Sequence, residues 1–311
     1  MHFERRTNRD LREAIAAFER ATASDASYAL AYAWIANSYV PLAYLGFAPP
    51  SETGPALRAA GEKALLLDGD LAESHLSLAM AWAFHERRWE DAEVEFRRAL
   101  ELDPNYATGH HWYAFFLMAL GRFEEALDER RRALDIDPLT PMLSVGLAEL
   151  HLAMRRPDRA LDVVDRILER YPRFWYARTV RGLALGQLGR HDEALEDLLE
   201  VGRASPDNFP VQASVVGALA ATGDVREARR RVAEAERLAR STFVPAFDLG
   251  VMRVALGDID LAFDWLRRSC DMKETRLAAI GFHRGLDPIR EDPRFTELRA
   301  CVGLPLPGGR R

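Results

Sequence analysis

The chain has 311 residues, 48% hydrophobic and 29% charged, an ordinary balance for a folded protein. Its 42 Lys and Arg against 48 Asp and Glu give a net charge of −6, mild and of the wrong sign for a nucleic-acid surface, so no nucleic-acid partner is expected. No apolar run approaches the roughly 18–20 residues of a membrane span. The opening MHFERRTNRD lacks a signal-peptide core, and only Cys270 and Cys301 occur, so no disulfide framework is needed; a cytoplasmic chain with no membrane partner is the expectation.

Residues 11–23 (LREAIAAFERATA) predict a helix with Ala14, Phe18 and Ala21 on one face. Nothing upstream is long enough to pair with it, so residues 1–28 read as the second half of an incomplete hairpin. From there the pattern repeats. Ala92, Ala126, Ala160, Ala194, Ala228 and Ala262 recur every 34 residues, the clock of stacked helical hairpins. With that alanine as position 20, the preceding helix carries bulky residues at 4 and 7, a small one at 8 and a large one at 11, as in His110, Tyr113, Ala114 and Leu117. At about 100° per residue these share one face. The second helix continues the stripe, as in Ala92, Phe96, Ala99 and Ala160, Val164, Ile167.

First helices are expected near Ala29, Ala72, Ala107, Pro141, Trp175, Phe209 and Phe243, giving seven units over residues 29–271. Gly121, Gly189, Gly223 and Gly257 mark the turns, where the left-handed conformation suits glycine. Pro104, Pro138, Pro172 and Pro206 stop the second helices. The first unit is the loosest, with a long loop expected over residues 44–54. Residues 272–311 read as a capping tail: two Asp-Pro phrases, a short helix through about Val302, and a frayed end from Pro305.

The pattern resembles the tetratricopeptide repeat, most clearly in NYATGHHWYAFFLMALGRFEEALDERRRALDIDP, residues 105–138. The resemblance implies an all-α, right-handed superhelical solenoid of helix–turn–helix hairpins with a short C-terminal helical cap. Arg130 departs from it at position 24, as do His151 and Arg253 at position 11, which questions local packing. The phrases RRT, LREAIAAFERA, SYALAYAWIANSY, HHWYA (110–114) and EDPRFTEL (291–298) resemble more narrowly the C-terminal repeat region of bacterial signalling proteins. There the array follows a winged-helix, protein-kinase or nucleotide-cyclase domain. The sequence contains neither kinase-type H-R-D or D-F-G nor a P-loop, so this resemblance implies a regulatory or sensory half served by an upstream effector domain.

Catalytic chemistry is not expected. His85-Glu86 begins an H-E-x-x-H, but Trp89 stands where the second histidine belongs. His75 and His110 share position 4 one unit apart and invite a metal, yet position 4 is a packing position and no metal is expected. Gly182 to Gly189 is glycine-rich without the spacing of a phosphate cradle. No cofactor is implied. The pairs Arg97-Arg98, Arg131-Arg132 and Arg267-Arg268 follow Glu93, Asp128 and Asp264 at helical spacing, so they read as a neutralised convex surface.

Function is expected on the concave face. Positions 2, 5, 9 and 12 of the first helices lie opposite the packing stripe, and their residues predict a partner-binding strip: Asn37, Met80, His111, Phe115, Met118, Glu149, Tyr176 and Phe247, with Met142, Leu152, Leu183 and Val251 beside them. A protein or peptide segment is the expected occupant. A carboxylate clamp of the chaperone-binding kind is disfavoured, because Ala33 sits where its lysine would be. This reading requires a hollow free of the chain's own tail. The alternatives are self-association through the unpaired first helix and, behind it, an enzyme or metal-binding protein with its site between hairpins.

Overall fold

The computed structural model describes residues 7–304; residues 1–6 and the expected frayed end from Pro305 lie outside the described residues. Helix α1 (Asn8–Ser24) starts at Thr7, whose hydroxyl accepts from the Asp10 amide at 3.1 Å. Leu11, Ala14 and Ile15 of α1 are buried, and α1 packs on α2 (Ala29–Tyr44).

Seven hairpins follow: α2 with α3 (Pro50–Leu67), α4 (Ala72–Ala81) with α5 (Trp89–Leu102), α6 (Ala107–Ala119) with α7 (Phe123–Ile136), and α8 (Pro141–Ala153) with α9 (Pro157–Arg170). Then come α10 (Trp175–Gln187) with α11 (His191–Ala204), α12 (Phe209–Ala221) with α13 (Val225–Leu238), and α14 (Ala246–Ala255) with α15 (Ile259–Asp271). The chain finishes in two 3-10 turns, Thr275–Gly281 and Arg284–Ile289, and α16 (Pro293–Val302). Among the described residues there is no strand, and the array is an all-α superhelical solenoid.

The alanine clock has a steric cause. A Cβ added at Gly182 (position 8) would lie 2.7 Å from Leu198 Cγ and 3.3 Å from the Ala194 carbonyl. At Gly250 it would lie 2.8 Å from Leu266 and 3.3 Å from the Ala262 carbonyl. Positions 8 and 20 are where the two helices of a hairpin cross, and neither tolerates bulk.

Unit two holds one residue more between His75 and Ala92 than unit three holds between His110 and Ala126. The surplus is absorbed in a π-helical turn, Trp82–Glu86, the usual way a helix takes a one-residue insertion. In unit one the long loop expected over residues 44–54 is corrected: only residues 45–49 connect the helices, because Pro50 opens α3, a position where proline's missing N–H costs nothing. Gly54 falls inside α3, where a Cβ would strike the His85 ring.

Position 4 forms a ladder of ion pairs. The His75 ring meets Glu95 (2.5 Å) and the Gly69 carbonyl (2.9 Å), and the His110 ring meets Glu129 (2.5 Å) and the Pro104 carbonyl (3.0 Å). Arg178 repeats the arrangement with Glu200 (2.5 Å) and the Pro172 carbonyl (3.0 Å). Each side chain ties the end of one unit to the second helix of the next. Both nitrogens of both histidines are occupied, which leaves neither free to hold a metal. On the convex side Arg97 meets Glu93 at 2.7 Å, and Arg131 and Arg267 meet Asp128 and Asp264 at 3.4 Å, exposed pairs of small energetic weight. Arg130, which broke the repeat pattern, is 1% exposed and lies against His111 and Met118. Gly146 makes room for it: a Cβ there would fall on the guanidinium.

The tail does more than cap. Thr275–Gly281 packs on α2, on α6 and on the π turn of unit two, at the opposite end of the chain from α15, which precedes it. Leu277, Ala278, Ala279 and Ile280 are at most 3% exposed. Phe282 sets its ring edge-on to Phe115 at 6.0 Å, and the Trp89 indole donates to the Val302 carbonyl at 2.8 Å. Units one and seven also meet directly, since a Cβ at Gly46 would strike Pro245 Cγ at 2.5 Å. The solenoid thus bends round until its ends touch, and the tail runs through the middle. The hollow free of the chain's own tail that the partner-binding reading requires is not there along units one to three. Cys270 and Cys301, expected to need no bond, are joined as a disulfide between α15 and α16.

Candidate partner-binding site

The predicted strip divides into two parts. Asn37 and Met80 are fully buried, and the Asn37 side-chain oxygen accepts from the Ser77 hydroxyl at 3.0 Å. His111, Phe115 and Met118 are at most 5% exposed, held by Arg130 and by Phe282 of the tail. Phe247 is fully buried beneath Arg276 and His283. These six sit beneath other parts of the chain, so the expectation that they face a partner is corrected. Their apolar character serves the tail and the neighbouring helices.

A buried polar knot pins the tail there. The Glu274 carboxylate accepts from the backbone amides of Ala246 (2.8 Å) and Phe247 (2.9 Å) and from the Ser269 hydroxyl (2.8 Å). It caps α14 from outside, where the helix dipole favours a negative group. Burial nevertheless holds the Glu274 carboxyl above its usual range. Two residues on, Arg276 reaches Asp248 at 3.0 Å, donates to the Tyr44 carbonyl at 3.3 Å and lies over the rings of Tyr44 and Phe247 at 5.2 and 5.4 Å. Burial raises the Asp248 carboxyl to about 6 despite the guanidinium beside it.

Glu149 and Tyr176 fare differently. The Tyr176 hydroxyl donates to Glu149 at 2.8 Å, and both line a cavity with Tyr44, Leu152, Val180, Leu183 and Asn208. This cavity continues into a trough of about 1030 Å³ of open volume on the concave faces of α10, α12 and α14. Leu183, Gln187, Ser214 and Val251 form its floor, and His283, Arg284, Gly285 and Asp287 of the tail form a wall. Leu183 is 39% exposed, a large apolar side chain left partly uncovered. The floor is wide because Ala213, Gly217 and Ala221 follow one another at four-residue spacing on α12. A Cβ at Gly217 would meet nothing within 4 Å. That spacing was the available signal for the trough; the tail's wall had none, because it belongs to no repeat. The trough offers apolar burial and scattered polar groups. No helix among the described residues is long and apolar enough to cross a membrane.

Residues 83–141 and 145–209 match family models described as tetratricopeptide repeat. Those two segments are tetratricopeptide repeats. No curated protein sequence matches the chain. Among solved structures, a chain of the APC/C hetero-tetramer Cut9–Hcn1 is similar at 12% identity and a TM-score of 0.66, over 94% of this chain and 52% of that one. A tetratricopeptide repeat protein from Parabacteroides merdae is similar at 16% identity and a TM-score of 0.52, over 86% and 98%. PilW, described as a widely conserved type IV pilus biogenesis factor, is similar at 19% identity and a TM-score of 0.50, over 70% and 97%. At these identities the likeness concerns the fold alone.

Proposed function

We propose that this tetratricopeptide-repeat protein is a non-catalytic interaction scaffold that takes a segment of a partner protein in the trough of units five to seven. The observation that carries this reading is the contrast between the two halves of the concave face. Units one to three have theirs filled by the tail, whereas α10 and α12 leave an apolar floor uncovered, with Leu183 39% exposed on it. Small residues on α12 let a backbone approach closely, and Glu149, Gln187 and Ser214 offer orienting hydrogen bonds at the margin.

A displayed library of random peptides panned against the full chain tests it. Wild type should enrich a related set of sequences that Leu183→Arg fails to retain, with both proteins showing the same thermal melt. No enrichment, or enrichment unaffected by Leu183→Arg, removes the trough from consideration.

We further infer a regulatory role in a bacterial signalling or transcription-control system, with cytoplasmic residence. The support is the resemblance carried by HHWYA and EDPRFTEL and the phrases near the start of the chain. Reading the coding frame upstream tests it: a winged-helix, kinase or cyclase domain in frame supports the role, and an unrelated neighbour removes it. Self-association through α1 remains the alternative: α2 buries Leu11, Ala14 and Ile15 but leaves Phe18 and Ala21 half-buried.

A further inference from the structure

The two cysteines of the chain stand 31 positions apart, and the fold brings their Cα atoms to 6.4 Å, within the span a disulfide bridges. Their placement is specific. Cys270 is buried near the end of α15, the last helix of the array, and Cys301 is exposed near the end of α16. The same end of α16 docks on unit two through Trp89 and Val302. The bond therefore sits where the last repeat, the tail and an early repeat meet.

A third group attends both sulfurs. Arg87 Nη1 lies 3.5 Å from Cys270 Sγ and 3.3 Å from Cys301 Sγ, and the guanidinium also donates to the carbonyls of Cys301 (2.9 Å) and Cys270 (3.3 Å). The backbone of Arg87 is left-handed, with φ of 61°, at the turn where units three, five, six and seven place glycine. Unit four also keeps an arginine, Arg155, left-handed at this turn; the arginine of unit two is the one that reaches both sulfurs. A guanidinium beside a thiol favours the thiolate, the form that exchanges with disulfides.

We propose that Cys270 and Cys301 form a reversible thiol–disulfide latch that fastens α16 across the ring closure and exchanges with low-molecular-weight disulfides such as oxidised glutathione. In the reduced protein the exposed Cys301 thiolate attacks one sulfur of glutathione disulfide and expels one glutathione thiolate. The Cys270 thiolate then attacks the Cys301 sulfur of the mixed disulfide and expels the second. Two protein S–H bonds are lost and one S–S bond forms. Two electrons pass to the glutathione disulfide, and the two protons end on its two thiols. Reduction runs the same steps backwards and leaves α16 held by its apolar contacts, the Trp89 hydrogen bond, the Arg87 bond to the Cys301 carbonyl and the Arg294–Asp260 ion pair. The latch stands or falls independently of whether the trough binds a partner.

The full chain, equilibrated in buffers of varied reduced-to-oxidised glutathione ratio, supplies the test. Free thiols are counted by polymer-tagged maleimide, and opening of α16 is followed by native trypsin cleavage after Arg294 and Arg299. Two labelled cysteines should give way to none as the buffer becomes oxidising, and cleavage should be severalfold faster in the reduced protein. Cys301→Ser should be cleaved as fast as reduced wild type in both buffers. Arg87→Gln should oxidise more slowly at neutral pH, with the difference shrinking as alkali ionises the thiols. Two labelled thiols persisting under excess oxidised glutathione, or equal cleavage of wild type in both redox states, overturns the latch. Those two readings use wild type alone, so they hold even where a variant fails to fold.

Discussion

Arg276 of the tail and Asp248 of α14 form an ion pair at 3.0 Å in which both side chains are withdrawn from solvent. The pair joins two pieces of chain that no repeat relates, and it sits where a partner's segment was expected. Its aspartate is fully buried and the guanidinium is its evident counter-charge, so removing one member is far more damaging than removing both. Arg276→Met should cost about 3–5 kcal/mol in urea unfolding, and adding Asp248→Asn should recover a substantial part. A loss under about 0.5 kcal/mol for the single variant, the range of ordinary surface changes, would show that the pair does not hold the tail.

Gly146 and Gly217 make opposite predictions for the same substitution. Alanine at 146 puts a methyl group on the Arg130 guanidinium and 2.9 Å from His111 Cε1, in a core with no room to give, and should destabilise by about 1–3 kcal/mol. Alanine at 217 meets nothing within 4 Å and should stabilise α12 by about 0.4–1 kcal/mol while narrowing the trough. Chemical denaturation of the two variants side by side decides; equal effects would contradict the packing described for α8.

The ladder at position 4 predicts a loss of stability toward alkaline pH. The hydrogen bond to Glu95 raises the His75 pKa; for His110, burial opposes the charge but Glu129 and the Pro104 carbonyl outweigh it. Folded values above the unfolded value of about 6.5 mean that the contribution is complete below that pH and fades as pH rises through the folded values. Unit six carries Gln212 at this position, bonded to the Gly202 and Ser205 carbonyls at 2.9 and 3.2 Å, so glutamine is a tolerated replacement. Melts from pH 6 to 9 should fall more steeply for wild type than for the double variant His75→Gln, His110→Gln. Parallel curves would exclude charged histidines in the ladder.

His283 should act in the opposite direction. Burial, with Arg276 and Arg290 nearby, lowers its pKa to about 3. A folded value below the unfolded one makes its contribution complete above about pH 6.5 and lost as pH falls toward 3. His283→Gln should therefore flatten the acid side of the stability profile, read as melting temperature between pH 6.5 and 4. An acid limb as steep in the variant as in wild type would place the imidazole in water.

The hairpins were legible because each residue of the pattern answers to a local or nearest-neighbour demand met again 34 residues later: Ala194 and Gly182 at a helix crossing, Gly189 in a left-handed turn, a proline after a helix end. Repetition turns such weak signals into a strong one, and the course of seven units followed from it. The path of the tail was not legible. It rests on contacts made once, Arg276 with Asp248, Phe282 with Phe115, Trp89 with Val302, between residues far apart in the chain and with no period to betray them. An apolar concave strip also reads the same whether it awaits a foreign segment or covers the chain's own. Only closure of the solenoid on itself decided that Phe115 and Met118 serve the interior, while Glu149, Tyr176 and Leu183 line an open cavity.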